Sequence, residues 1–236
     1  MINLKDIIIG FDKKLFSIES ISFEKGQVNV LTGKNGIGKS AFLLTLAGLN
    51  STVKGLISLN EKALTSYSSK QLSSHIAYVN SSPKGVPFLS VDSYLLLGRS
   101  NYTNMFGKAS ETDLLEVEKA KTLFGIHHLS EKYTNELSSG ELQLCAIAKA
   151  YVQQTDYILL DEPTSHLDYA NKRKVYELLG KMADEHNKGI IISTHDLDLA
   201  FKFDFKFYLI QSKSLLLKQV KSFKEVEIEF DHQAKK

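Results

Sequence analysis

Apolar positions in the first third of the chain fall in short runs. Residues 2–9, 15–23 and 28–32 are rich in Ile, Leu, Phe and Val, and turns at Gly10-Phe11-Asp12-Lys13 and Glu24-Lys25-Gly26 divide them. Runs bounded in this way predict strands. The third run leads into a glycine-rich loop, after which the pattern predicts a helix from Ser40 to about Leu49. Residues 55–59 and 76–79 predict two further strands. The character then changes, and helical spacing appears at 91–98, 112–124 and 140–152 with polar loops between. This middle stretch, about 86–154, is expected to be a helical insertion. An apolar strand at 157–160 follows, then a helix at about 169–186, a strand at 189–193 and a short helix after Thr194. The tail, 205–230, alternates around Gln211-Ser212-Lys213-Ser214 and predicts a hairpin, with a last segment that fits strand and helix equally well.

Length and composition bound this picture. The 236 residues fit one large α/β domain, with 1–85 and 155–236 forming its main body around the helical insertion. The formal net charge of +2 gives no strong field for DNA, RNA or an anionic membrane, so no nucleic-acid partner is expected. Cys145 is the one cysteine, which excludes an intrachain disulfide and a cysteine metal cluster and suits a reducing compartment. The first residues lack a signal-peptide layout, and no apolar stretch is long enough to span a bilayer. The expectation is a soluble chain that would need a separate membrane chain for any membrane role.

The glycine-rich loop carries the first chemistry. Gly33-Lys34-Asn35-Gly36-Ile37-Gly38-Lys39-Ser40 matches the phosphate-loop pattern in full, and Ala41 continues it into the helix. Glycines let several backbone N–H groups turn toward one phosphate. The helix start adds a partial positive charge. Lys39 would reach the β- and γ-phosphates of ATP, and the Ser40 hydroxyl is placed to ligate Mg²⁺. Further on, Tyr157-Ile158-Leu159-Leu160-Asp161-Glu162 is an apolar run ending in two carboxylates, as a buried parallel strand does at a ligand-binding edge. Asp161 would serve Mg²⁺, and Glu162 would polarise the attacking water.

With these in order along the chain, the sequence resembles the ABC ATPases. Leu137-Ser138-Ser139-Gly140-Glu141 resembles their signature, and 162–168 resembles the segment from the catalytic Glu to the loop that ends at Asp168. His195, in Ser193-Thr194-His195-Asp196, resembles the switch histidine. Phe11 stands where the family has an aromatic that stacks on adenine. The resemblance implies a P-loop (RecA-like) α/β core, an N-terminal antiparallel β subdomain and an inserted helical subdomain. It further implies a head-to-tail homodimer, with ATP held by residues 33–41 of one copy and by Ser138, Ser139 and Gly140 of the other. Transmembrane permease subunits, a substrate-binding protein and a place on the cytoplasmic face of the plasma membrane are implied as well.

Leu97-Gly98-Arg99, closing the first predicted helix of the insertion, looks like the ATPases of type II importers, which carry iron–siderophore, haem or cobalamin. Two positions depart from the family. Ser81 stands where a metal-reaching Gln is usual, and Ser139 replaces the first signature glycine. Other readings are an exporter subunit, a regulator without turnover, and a soluble ABC ATPase of translation or DNA repair. The last kind typically carries two cassettes or long coiled-coil or basic insertions, and this sequence has neither.

Overall fold

A computed structural model describes residues 1–10, 13–51, 54–102, 108–165 and 167–234. Two sheets organise the chain. The first is antiparallel and is built from β1 (Ile2–Gly10), β2 (Lys14–Phe23), β4 (Lys54–Leu59) and the short β5 (Lys62–Ala63), in the order β2-β1-β4-β5. The second contains β3 (Gln27–Thr32), β6 (Ile76–Val79), β7 (Tyr157–Asp161), β8 (Gly189–Ser193), β9 (Lys206–Ile210) and β10 (Leu217–Val220). Its order is β10-β9-β3-β8-β7-β6, and all neighbours are parallel except β9 and β10, which form the hairpin expected in the tail.

The unbroken apolar runs in β7 and β8 are explained by burial on both faces. Ile158, Leu160, Ile190 and Ile192 point to one core, and Tyr157, Leu159 and Ile191 to the other. The second core is closed by β1, β2, β4 and α1 (Lys39–Leu46), through Ile2, Leu4, Phe16, Phe23, Phe42 and Leu43 among others. The first core is closed by α3 (Val91–Leu96), α4 (Glu111–Phe124), α5 (Ser139–Val152) and α6 (Tyr169–Asp184). Cys145 lies inside this core, where burial first and the charge of Glu141 second push its thiol up to about 12.

The predicted elements fall within a few residues of the observed ones. The α2 helix (Ser69–Ser73) and β5 were not expected, because each is too short to carry a period. Ser68 and Gln71 fix α2 by a reciprocal cap. A short α7 (Leu197–Ala200) follows Thr194. The ambiguous tail segment is a helix, α8 (Phe223–Ala234), anchored by Val226 in the first core.

Leu97-Gly98-Arg99 is a 3-10 turn with a structural task. A Cβ on Gly98 would lie 2.5 Å from the Lys149 carbonyl oxygen, so glycine lets this turn touch α5. Arg99 is buried rather than a surface charge at a helix end. Its Nε donates to Asp113 Oδ1 at 2.8 Å, and its Nη1 donates to the Val152 carbonyl at 3.0 Å and to Gln154 Oε1 at 3.1 Å. The pair ties α3, α4 and α5 together. The Arg99 hydrogen bond, helped by the Ser110 amide, holds the Asp113 carboxyl below its ordinary value of 3.8.

Arg99→Ala would leave a buried carboxylate unpaired, and urea unfolding should show a loss of about 3–5 kcal/mol at neutral pH. A carboxyl with a lowered pKa contributes stability above its unfolded value and loses it as pH falls through the folded one. The gap between Arg99→Ala and the wild type should therefore shrink as pH drops below 3.8.

Candidate functional site

The candidate side chains meet at the C-terminal ends of three neighbouring parallel strands. The loop 33–38 leaves β3 and delivers Lys39 and Ser40 to the start of α1. Asp161 ends β7, and Glu162 follows it. Ser193 ends β8, and His195 lies two residues on. The strands are in register, with β8 between β3 and β7: Leu31 faces Ser193, and Ser193 faces Asp161. This edge is where ligands bind in open parallel sheets.

Lys39 is nearly buried, at 6% exposed, and its ammonium has three partners. Nζ donates to the carbonyls of Gly33 at 3.0 Å and Lys34 at 3.2 Å, and lies 3.1 Å from His195 Nε2. Burial pulls its pKa below the ordinary lysine value, while the carboxylates of Glu162 and Asp161 oppose that shift. His195 Nε2 also lies 2.9 Å from Glu162 Oε1. One ring nitrogen either accepts from Lys39 or donates to Glu162, so the tautomer of His195 selects its partner.

The loop folds back ahead of α1, as a phosphate cradle would. Ile37 N–H donates to the Lys34 carbonyl at 3.3 Å, and Gly38 is the residue before α1. Gly38 has φ of +113°, and a Cβ there would sit 3.0 Å from Leu15 Cδ1 and 3.2 Å from Phe16 Cε1. The loop can turn into the helix at this point only because the residue is glycine. Lys34, Asn35 and Gly36 are exposed at the rim, as is Ser40, and Ala41 is half-buried.

The hydroxyl of Ser40 and the carboxylate of Asp161 are hard oxygen donors of the kind that Mg²⁺ takes together with water and phosphate. Ser193 Oγ donates to Asp161 Oδ1 at 2.6 Å and leaves Oδ2 clear of that bond. The donor set fits Mg²⁺. Ser81 lies two residues beyond Val79, whose register partner is Leu160, so it reaches the same edge of the sheet. There its backbone carbonyl accepts from Ser165 Oγ at 3.4 Å.

The signature residues lie elsewhere. Ser138 caps α5 in a reciprocal box, accepting from Glu141 N–H at 3.3 Å and donating to Glu141 Oε2 at 2.7 Å. Ser139 opens the helix. Ser138, Ser139 and Gly140 line a recess of about 400 Å³ together with Leu167 and Asp168, and no residue of 33–41 lines it. Asp168 caps α6 by accepting from Asn171 N–H at 2.8 Å. Phe11 lies outside the described residues.

Ser193, Thr164 and Asp196 were not singled out from the sequence. Thr164 Oγ1 donates to Asp196 Oδ2, and Lys172 Nζ donates to Asp196 Oδ1, so the loop after β7 is tied to the loop after β8. A polar residue closing the apolar run of β8 was the available signal for Ser193.

The family model for the ABC transporter matches residues 17–165. The chain is 37% identical over 199 residues to an uncharacterized ABC transporter ATP-binding protein of Haemophilus influenzae, covering 83% of this chain and 74% of that one. It is 32% identical over 206 residues to the iron(3+)-hydroxamate import ATP-binding protein of Bacillus subtilis, covering 87% of this chain and 76% of that one. Among solved structures, cbiO1 of Clostridium perfringens, part of the ABC transporter complex cbiONQ, superposes with a TM-score of 0.81 at 26% identity, covering 99% of this chain and 93% of that one.

Gly38→Ala tests the cradle. Backbone strain of about 1–3 kcal/mol and the contacts with Leu15 and Phe16 should lower the melting temperature and weaken ATP binding measured by calorimetry without Mg²⁺. Unchanged affinity would show that this turn does not shape the site.

Proposed function

Because the chain belongs to the ABC transporter family and is an ATP-binding, ATP-hydrolysing subunit, we propose that it powers the uptake of an iron–siderophore, haem or cobalamin type of substrate. The convergence of Lys39, Asp161, Glu162 and His195 on one sheet edge carries the hydrolytic part of this reading. The uptake part draws on the iron-hydroxamate import relative and on Leu97-Gly98-Arg99.

Lys39 Nζ donates to two loop carbonyls and lies beside His195. The β- and γ-phosphates of ATP take Lys39 as their counter-charge, together with the N–H groups of 33–41 and the start of α1. His195 Nε2 is then freed of its lysine donor and becomes a donor, to Glu162 or to the γ-phosphate. Glu162 orients the attacking water and accepts its proton. Ser40 and Asp161 would hold Mg²⁺, with the Ser81 loop beside them, and the ion would supply charge neutralisation to the phosphates.

The recess at Ser138, Ser139 and Gly140 opens onto the first turn of α5, a 14-residue helix whose N-terminus suits an anion. It takes the γ-phosphate held by a second copy of the chain, and Asp168 lies at the same junction. The homodimer joins transmembrane permease subunits on the cytoplasmic face of the membrane, with a substrate-binding protein outside. No helix among the described residues is long and apolar enough to cross a membrane. A groove of about 830 Å³ beyond α1, lined by exposed Leu49 and Leu56 and by Ile57, Tyr67 and Leu72, offers the apolar seat that a permease helix needs.

Two variants test the reading. Glu162→Gln should lower phosphate release about 100-fold or more and trap a dimer with MgATP, read by light scattering. Monomer alone at saturating MgATP, with the permease subunits present, would contradict the two-copy site. Ser81→Gln should raise Mg²⁺ affinity and turnover together, because it restores a side chain long enough to reach the ion. Indistinguishable values would show that this loop does not serve the metal.

A further inference from the structure

The hydroxyl of Ser193 stands between the two acidic residues of the site. It is fully buried, at the last position of β8, directly across from Asp161 in the parallel register. Its Oγ donates to Asp161 Oδ1 at 2.6 Å and accepts from the Glu162 N–H at 2.9 Å. The same N–H approaches the Ser193 carbonyl at 3.1 Å, so one residue receives the Glu162 amide twice.

A hydroxyl has a single proton. Here it is spent on Asp161, which turns the oxygen lone pairs toward the Glu162 amide. Two consequences follow. The Asp161 carboxylate is fixed through Oδ1, and no hydrogen bond to Oδ2 is made among the described residues. The backbone of Glu162 is held in the left-handed region, with φ of +46°, which a non-glycine residue adopts only when its surroundings impose it. That bend aims the Glu162 side chain at His195. Alanine at 193 would remove the hydroxyl that bonds both the Asp161 carboxylate and the Glu162 amide, would keep the backbone carbonyl contact to that amide, and would leave the apolar character of the strand untouched.

We propose that Ser193 is the positioning residue of the hydrolytic site: its hydroxyl presents Asp161 to the divalent ion and sets the turn that aims Glu162. This rests on the roles given above to Asp161 and Glu162. Removing support of this kind behind a metal ligand costs about 10–100-fold in metal affinity or activity.

The test compares Ser193→Ala and Ser193→Thr with Asp161→Asn and Glu162→Gln. Mn²⁺ binding in the presence of a non-hydrolysable ATP analogue, read by electron paramagnetic resonance, should weaken about tenfold in Ser193→Ala. Its kcat should fall by at least a similar factor while KM for ATP changes little, and binding of ATP in EDTA should match the wild type. Ser193→Thr, which keeps the hydroxyl, should restore both metal affinity and kcat. Should Ser193→Ala not fold, Ser193→Thr alone decides, because loss of Mn²⁺ affinity in a folded hydroxyl-bearing variant overturns the proposal. Wild-type Mn²⁺ affinity and kcat in Ser193→Ala would also overturn it. If Asp161→Asn and Glu162→Gln themselves hydrolyse ATP normally, the underlying site assignment fails. If they are inactive while Ser193→Ala is normal, only the role of Ser193 fails.

Discussion

A lysine ammonium withdrawn from water must be given partners, and Lys39 imposes that demand on everything around it. Its three contacts, two loop carbonyls and His195, come from the ends of two different strands. The loop carbonyls face the ammonium only because the glycine-rich segment wraps back over the start of α1. His195 reaches it only because β8 lies next to β3 in register. The carboxylates of Asp161 and Glu162 oppose the loss of its charge from the next strand along.

The two cores account for how rigidly this edge is held. Each central strand buries both faces, so β7 and β8 cannot slip without moving side chains in both layers. On one side, α1 and the antiparallel sheet lock the phosphate loop through Phe16 and Phe42, whose rings meet edge to face at 5.9 Å. On the other, the helical layer is pinned by the Arg99–Asp113 pair and by the close approach at Gly98. The first turn of α5, which presents Ser138 and Gly140, is therefore mounted on a braced unit. Beside the carboxylates, Asp196 accepts from Thr164 and Lys172 and joins the loops that carry Glu162 and His195.

Much of this was legible in the sequence. The phosphate loop, the apolar strand ending in Asp161-Glu162 and the histidine after the next strand are local patterns, and local chemistry shows in local spacing. The strands followed from where glycine turns and apolar runs fall, while the antiparallel subdomain beside the parallel core was what the family resemblance implied. What sequence could not display was pairing across the fold. Ser193 reads as the unremarked end of an apolar strand until register places it opposite Asp161. Arg99 reads only as the end of a family-like Leu97-Gly98-Arg99 segment until Asp113, from the next helix, is found against it. The tail segment was ambiguous because its period is weak, and Val226 in the first core is what marks it as a helix. Short α2 and β5 are stabilised by a cap and by a sheet edge, and neither leaves a periodic trace.

The central claim is that Lys39, Asp161, Glu162 and His195 form one hydrolytic site around a desolvated ammonium. Single-turnover phosphate release from radiolabelled MgATP, by wild type and by Lys39→Ala held at a temperature where circular dichroism shows both folded, tests it most directly. The account predicts release by the wild type and a loss of about 100-fold or more in the variant. Equal rates from the two proteins would contradict it.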